Sequence, residues 1–231
     1  MIAQEAAAFV QDGFNVAFGG FTPAGCPKVV PVAIAERAEA EHKAGRPFSI
    51  GVFTGASTGD RLDGVLARAR AIRFRAPYQS NKDLRTLINS GETDYTDLHL
   101  SSLPQDLRYG FYGDIDIAII EAAEVTPEGE IVPTSSVGML PTICRLAKKI
   151  IVELNDRHPA AIRGMHDIAE PLDPPYRKEL PIYKPSDRVG QPFIKVDPDK
   201  IVAIVETSEP NDEGKFTPLD DVTKAIGDNV A

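Results

Sequence analysis

The sequence predicts an α/β domain, a largely parallel sheet flanked by helices. Two observations carry that reading. Apolar runs of strand length alternate with helix-like stretches along most of the chain, the rhythm that builds a parallel sheet covered on both faces. Near its start, the short apolar run Val16-Ala17-Phe18 leads into Gly19-Gly20 and then toward a helix, as a strand entering a crossover does.

The elements follow in order. Residues 2–11 read as a helix ended by Gly13, residues 16–18 as a buried strand, and residues 28–43 as an alanine-rich helix with charged flanks. Residues 48–53 form the next strand, 61–68 a helix, 71–75 an extended stretch, and 82–89 a helix that Gly91 stops. Residues 115–120, nearly all isoleucine and alanine, make an interior strand, and residues 125–132 a hairpin turning at Thr126-Pro127-Glu128-Gly129. A helix over 139–147 leads into the strand 149–153. From 155 to 198 eight prolines suppress regular helix, an excursion of the kind that covers a site or docks on another unit. A strand over 201–205 and a terminal helix within 218–231 complete the chain, with no internal repeat.

Composition narrows the function. At 231 residues, 42% hydrophobic and 26% charged, the chain can bury a substantial core and is neither disordered nor fibrous. A net charge of -9 repels nucleic acid and anionic membrane surfaces over most of the molecule. The exception is the stretch from Arg61 to Arg85, seven bases against two acids, which reads either as solvated helix faces or as help for an anionic ligand. No apolar run reaches the roughly 20 residues that span a bilayer, and no signal segment opens the chain, so a cytoplasmic location is expected. Cys26 and Cys144, and His42, His99, His158 and His166, show no metal-ligand spacing; no metal, disulfide or cofactor is expected.

The most informative stretch is Asp12-Gly13-Phe14-Asn15-Val16-Ala17-Phe18-Gly19-Gly20-Phe21-Thr22-Pro23-Ala24-Gly25-Cys26-Pro27. A glycine loop after a strand lets backbone N–H groups approach a ligand, and the positive end of the helix that follows suits an oxyanion, carboxylate or phosphate. A plain tight turn explains such a loop equally well. The full string, however, resembles position by position the first signature of the family I coenzyme A transferases. Thr54-Gly55-Ala56-Ser57-Thr58-Gly59, Ile88-Asn89-Ser90-Gly91-Glu92-Thr93-Asp94-Tyr95, the run from Gly129 to Gly138 and the run from Pro198 to Val205 resemble the branch that holds acetyl-CoA hydrolases and succinyl-CoA:acetate CoA-transferases. The similarity covers nearly the whole chain.

The resemblance implies a CoA-transferase-like domain of the NagB/RpiA kind spanning residues 1–231, the amino-terminal half of an enzyme about twice this length. It implies transfer of CoA between an acyl-CoA and a small carboxylic acid through a glutamyl-CoA intermediate on the other half, or on a β subunit, in a homodimer when complete. The chain alone is then expected to be inactive, with no catalytic residue of its own and CoA as substrate, not cofactor. Acetyl-CoA hydrolysis, an α-subunit role and a non-catalytic acyl-CoA-binding module are the alternatives. The substrate wall is expected to comprise Gly19, Gly20, Phe21, Gly25, Ser57 and Ser80; turn or helix-capping roles compete for the two serines. Glu121 and Glu153, each at a strand end, read as structural carboxylates that cap a helix or pair a base, and Cys26 as wall. Where relatives carry an arginine after the last strand, this chain has Glu206-Thr207-Ser208-Glu209-Pro210-Asn211-Asp212-Glu213, with Lys215 as the nearest substitute base.

Overall fold

Parallel pairing organises the protein, seen in a computed structural model that describes residues 1–211 and 217–230. Seven strands run parallel in the order β4 (Asp94–Tyr95), β3 (Ile72–Ala76), β2 (Ile50–Thr54), β1 (Asn15–Phe18), β5 (Ile117–Val125), β7 (Lys149–Asn155) and β9 (Ile201–Thr207). The long β5 also pairs antiparallel with β6 (Glu130–Pro133), which carries β8 (Ile194–Lys195). The predicted turn is present: the Thr126 N–H donates to Glu130 O at 2.9 Å and Gly129 adopts φ +79°.

Alternation along the strands divides the core between the two faces. Val16, Phe18, Ile117, Ile119 and Ile151 face α1 (Ala3–Ala7), α2 (Val30–Lys43), α3 (Val65–Arg68) and α4 (Lys82–Asn89). Ala17, Phe53, Ala118, Ile120 and Val152 face α5 (Leu103–Arg108) and α6 (Leu140–Leu146). β5 is the central strand, with every residue from Ile117 to Ala122 buried. The result is a helix-sheet-helix sandwich, the α/β class expected.

Differences from the sequence reading have local causes. α2 begins at Val30 instead of Lys28, because the Lys28, Val29 and Val30 N–H groups are all taken by the Glu153 carboxylate, which ends the chain's approach and starts the helix. α1 is shorter than 2–11, and the Glu5 carboxylate accepts the Ile2 N–H at its start at 3.2 Å. The two-residue β4, the six-residue α5 and β8 were not anticipated; each is too short to show a period. The excursion after β7 is pinned, not loose. Arg108 forks onto Asp173, Arg145 holds Glu170, and the Ile168 and Gln191 backbones bond to each other at 2.8 and 3.0 Å. A cavity of about 400 Å³ lies between it, α5 and α6. α7 (Asp221–Val230) has every residue exposed.

Because Ile119 is fully buried in the middle strand, Ile119→Ala is expected to cost about 2–5 kcal/mol in urea unfolding. Ile182→Ala, on the excursion at 54% exposure, should stay within about 0.5 kcal/mol. Similar losses for the two would contradict this assignment of the core.

Candidate functional site

The loops that leave the carboxyl ends of the parallel strands meet along one edge, where open α/β sheets bind ligands. They converge on the carbonyl of Gly20. A Cβ built on Gly55, after β2, would lie 2.8 Å from Gly20 O, and one on Gly138, after β6, 3.6 Å from it. Gly20 itself has φ +104°, and a Cβ there would stand 2.1 Å from Cys26 Sγ and 2.8 Å from Cys26 Cα. The loop therefore folds back on its own backbone and admits no side chain at that position. Gly19 packs on Ile120 and Leu140, Gly25 lies against Ser136, and Phe21 sits in a tight turn with Ala24, 45% exposed.

Ser57 and Ser80, from the loops after β2 and β3, come together: their hydroxyls are 2.8 Å apart, and Ser57 Oγ also accepts the Ser80 N–H at 3.0 Å, a bond that a loop-bracing role would use as well. Helix α4 is capped by the neighbouring Asn81, which accepts from the Asp83 and Leu84 N–H groups. Beneath them, Arg75 is fully buried and donates to both oxygens of the equally buried Asp63 at 2.9 and 3.1 Å. Asp63 in turn accepts the Thr58 N–H at 3.0 Å, and Arg75 donates to Ala56 O at 3.2 Å. This forked pair fixes the serine-bearing loop to β3.

Arg75 also bears on the basic stretch. Arg61 pairs with Glu209, Arg68 with Asp60 and Asp83, and Arg70 with Glu92. Four of the seven bases are committed to this chain's own acids, while Arg73 donates to Gly13 O and Asn15 Oδ1 and Arg85 to Ser80 O.

The expected anion seat at the start of α2 is likewise filled from within. Glu153 Oε1 accepts the Val29 and Val30 N–H groups at 2.9 and 2.6 Å, and Oε2 accepts that of Lys28 at 2.6 Å. Burial pushes this carboxyl up to about 7, the three N–H donors pull it down, and neighbouring Glu121 raises it further. Glu121 pairs with the buried Lys28 ammonium and accepts from Thr134 Oγ1 at 2.6 Å and Asn155 Nδ2 at 2.8 Å. Both carboxylates thus have every oxygen engaged. Cys26, its Sγ donating to Thr22 O at 2.8 Å, has its thiol pKa raised by burial, which suits wall over nucleophile. Sequence reasoning missed Lys28, Thr134 and Asn155; nothing in their spacing marks them. Lys215 lies outside the described residues, and among those described no group of three or more metal-binding side chains assembles.

Two outcomes are expected. Gly20→Ala should destabilise the chain by about 2 kcal/mol or more, without rescue by Cys26→Ala because the backbone clash remains; Gly164→Ala, in open space, should be near neutral in thermal unfolding. For Glu153, a folded-state pKa of about 7 against an ordinary 4.5 means that its stabilisation is full below pH 4.5 and is lost as pH rises through 7. The stability gap between wild type and Glu153→Gln should shrink by about 3 kcal/mol between pH 4.5 and 8 in urea titrations; a pH-independent gap would refute this.

Comparison with known proteins places the chain in a family. Residues 1–206 match the family described as the acetyl-CoA hydrolase/transferase N-terminal domain. The chain is 45% identical over 230 residues to the propanoyl-CoA:succinate CoA transferase of Escherichia coli K12, covering 100% of this chain and 47% of that protein. It is 39% identical to the succinyl-CoA:acetate CoA-transferase of Clostridium kluyveri, over 99% of this chain and 42% of that one. Against the acetyl-CoA hydrolase of Yarrowia lipolytica it is 40% identical, over 93% of this chain and 42% of the other. The chain therefore spans less than half the length of these relatives. In fold it resembles the glutaconate coenzyme A-transferase of Acidaminococcus fermentans, with a TM-score of 0.60 at 14% identity, over 90% of this chain and 75% of that one. The chain belongs to the acetyl-CoA hydrolase/transferase family, matching its N-terminal domain.

Proposed function

We propose that this chain forms the carboxylate-receiving wall of an acyl-CoA:carboxylate CoA-transferase of the acetate/succinate type, whose nucleophilic glutamate comes from a second domain or subunit. The observation that carries the reading is the Ser57–Ser80 hydroxyl pair, held at 2.8 Å beside the loop that turns at Gly20. Two hydroxyls on loops fixed by buried groups can turn their protons to a carboxylate while the loops stay in place. Gly19, Gly20, Phe21 and Gly25 shape the rest of the wall.

In this reading the external glutamate attacks the acyl-CoA thioester, releasing CoA thiolate and leaving a mixed anhydride. The thiolate then attacks the glutamyl carbonyl, freeing the first acid and leaving a glutamyl-CoA thioester. The acceptor acid, seated on Ser57 and Ser80, repeats these steps in reverse to leave as the new acyl-CoA. Water in place of the acceptor gives hydrolysis, the second reading that the yeast relative's name favours. The engagement of every Glu121 and Glu153 oxygen supports placing the nucleophile elsewhere.

Calorimetric titration with acetate and succinate, joined to an assay of CoA exchange, tests the reading. The chain alone should bind an acid but exchange no CoA, and Ser80→Ala should weaken binding about tenfold, the loss of one hydrogen bond to a charged group. Unchanged affinity in Ser80→Ala, or robust turnover by the chain alone, would overturn it.

A further inference from the structure

We propose that Glu121 is a positioning residue for this site, the single buried post on which the loops after β1, β6 and β9 are hung. The inference rests on the carboxylate reading above and adds to it the group that holds the glycine-loop side of the wall in register with the serines.

Glu121 is 1% exposed on β5, paired with Glu153 of β7 along one edge and lying between the β1-paired and β6-paired stretches along the other. Each of its partners carries the constraint one step outward. Lys28 Nζ, paired with Glu121, also donates to Cys26 O at 3.0 Å, and Cys26 closes the glycine loop through Thr22 O. Thr134 leads to Ser136, whose hydroxyl donates to Ala24 O at 2.9 Å, and to Ser135, which receives Asn211 Nδ2 at 3.1 Å. Asn155 Nδ2, besides reaching Glu121, donates to Glu209 O at 2.8 Å. The bonds form a circuit: glycine loop, β6 loop and β9 loop touch one another and share one carboxylate.

The serine side has a separate anchor. Ser57 and Ser80 depend on the Asp63–Arg75 fork, which among the described residues shares no hydrogen-bonding partner with Glu121. The wall therefore has two leaves, each locked by its own buried ion pair, in contact where Gly55 meets Gly20 O. A buried pair adds little stability compared with apolar residues of similar size. What an apolar pair cannot supply is directional bonding to three loops at once. That distinction separates positioning from mere support of the core.

The double variant K28M/E121L removes both charges of the pair and keeps the volume, so neither is left buried without the other. Hydrogen exchange on the 231-residue chain should rise at least about tenfold in segments 19–26, 134–136 and 208–211 together, while 56–58 and 77–81 keep wild-type protection and the melting temperature stays within a few degrees. Affinity for acetate or succinate should fall about tenfold. Glu121→Gln, which keeps an acceptor oxygen, should show the same segments in the same order with smaller changes, and serves if the double variant does not fold. Wild-type exchange in the three segments, a rise confined to one of them, or a rise spread over the whole chain would overturn the proposal. Failure of the unaltered chain to bind either acid would count against the carboxylate reading, and the exchange pattern would then decide the loop coupling by itself.

Discussion

Two carboxylates stand in register on adjacent central strands, Glu121 on β5 opposite Glu153 on β7, both buried. Residues paired in this way project from the same face of the sheet, here the face covered by α2. Burying like charges side by side is costly unless each is compensated. The chain compensates them with one segment. Lys28 gives its ammonium to Glu121 and its backbone N–H to Glu153, and Val29 and Val30 complete the second carboxylate's shell. The entry into α2 is thus fixed by electrostatics arriving from strands about a hundred residues further along the chain.

The glycine loop inherits its shape from that constraint. It bridges the end of β1 and a helix start that cannot move, and it must do so within the few residues from Gly19 to Pro27. The chain turns sharply enough that the Gly20 backbone passes within van der Waals contact of Cys26, which is why a methyl group has no room there. The same tightness presents the Gly20 carbonyl to Gly55 and Gly138, so that three loops can pack without side chains between them. Geometry set by a buried ion pair is in this way passed to a surface loop through backbone contacts alone.

Legibility in the sequence followed the range of the interactions. The strands 16–18, 115–120 and 149–153 declared themselves because isoleucine, valine and alanine runs are local signals, and each lies within an observed strand or overlaps its apolar part. The hairpin at Thr126-Pro127-Glu128-Gly129 was equally local. Ser57 and Ser80 were readable as candidates only through a long motif; that they touch depends on β2 and β3 being neighbours. Glu121 and Glu153 were legible as strand-end carboxylates with structural roles, but not their partners. Lys28 looked like the first residue of a helix, and Thr134 and Asn155 like ordinary loop and strand-end residues. The basic stretch left two readings open for the same reason, since the acid that pairs Arg61 lies 148 residues away in sequence.

The arrangement also bears on why a wall with the proposed receiving role would spend its carboxylates on structure. A nucleophilic carboxylate must keep a lone pair free and must approach a thioester in line with the carbonyl, which requires motion or at least an open face. A receiving surface has the opposite requirement, since donors that must reorganise as charge arrives lose their electrostatic advantage. Glu121 and Glu153, fully bonded and buried, satisfy the second requirement and forfeit the first. The serines meet it too: Ser57 Oγ is held by the Ser80 N–H and each hydroxyl has the other as a partner until a stronger acceptor comes. A carboxylate arriving between them would replace one weak neutral bond by two charge-assisted ones, a gain available only because the loops beneath do not have to move.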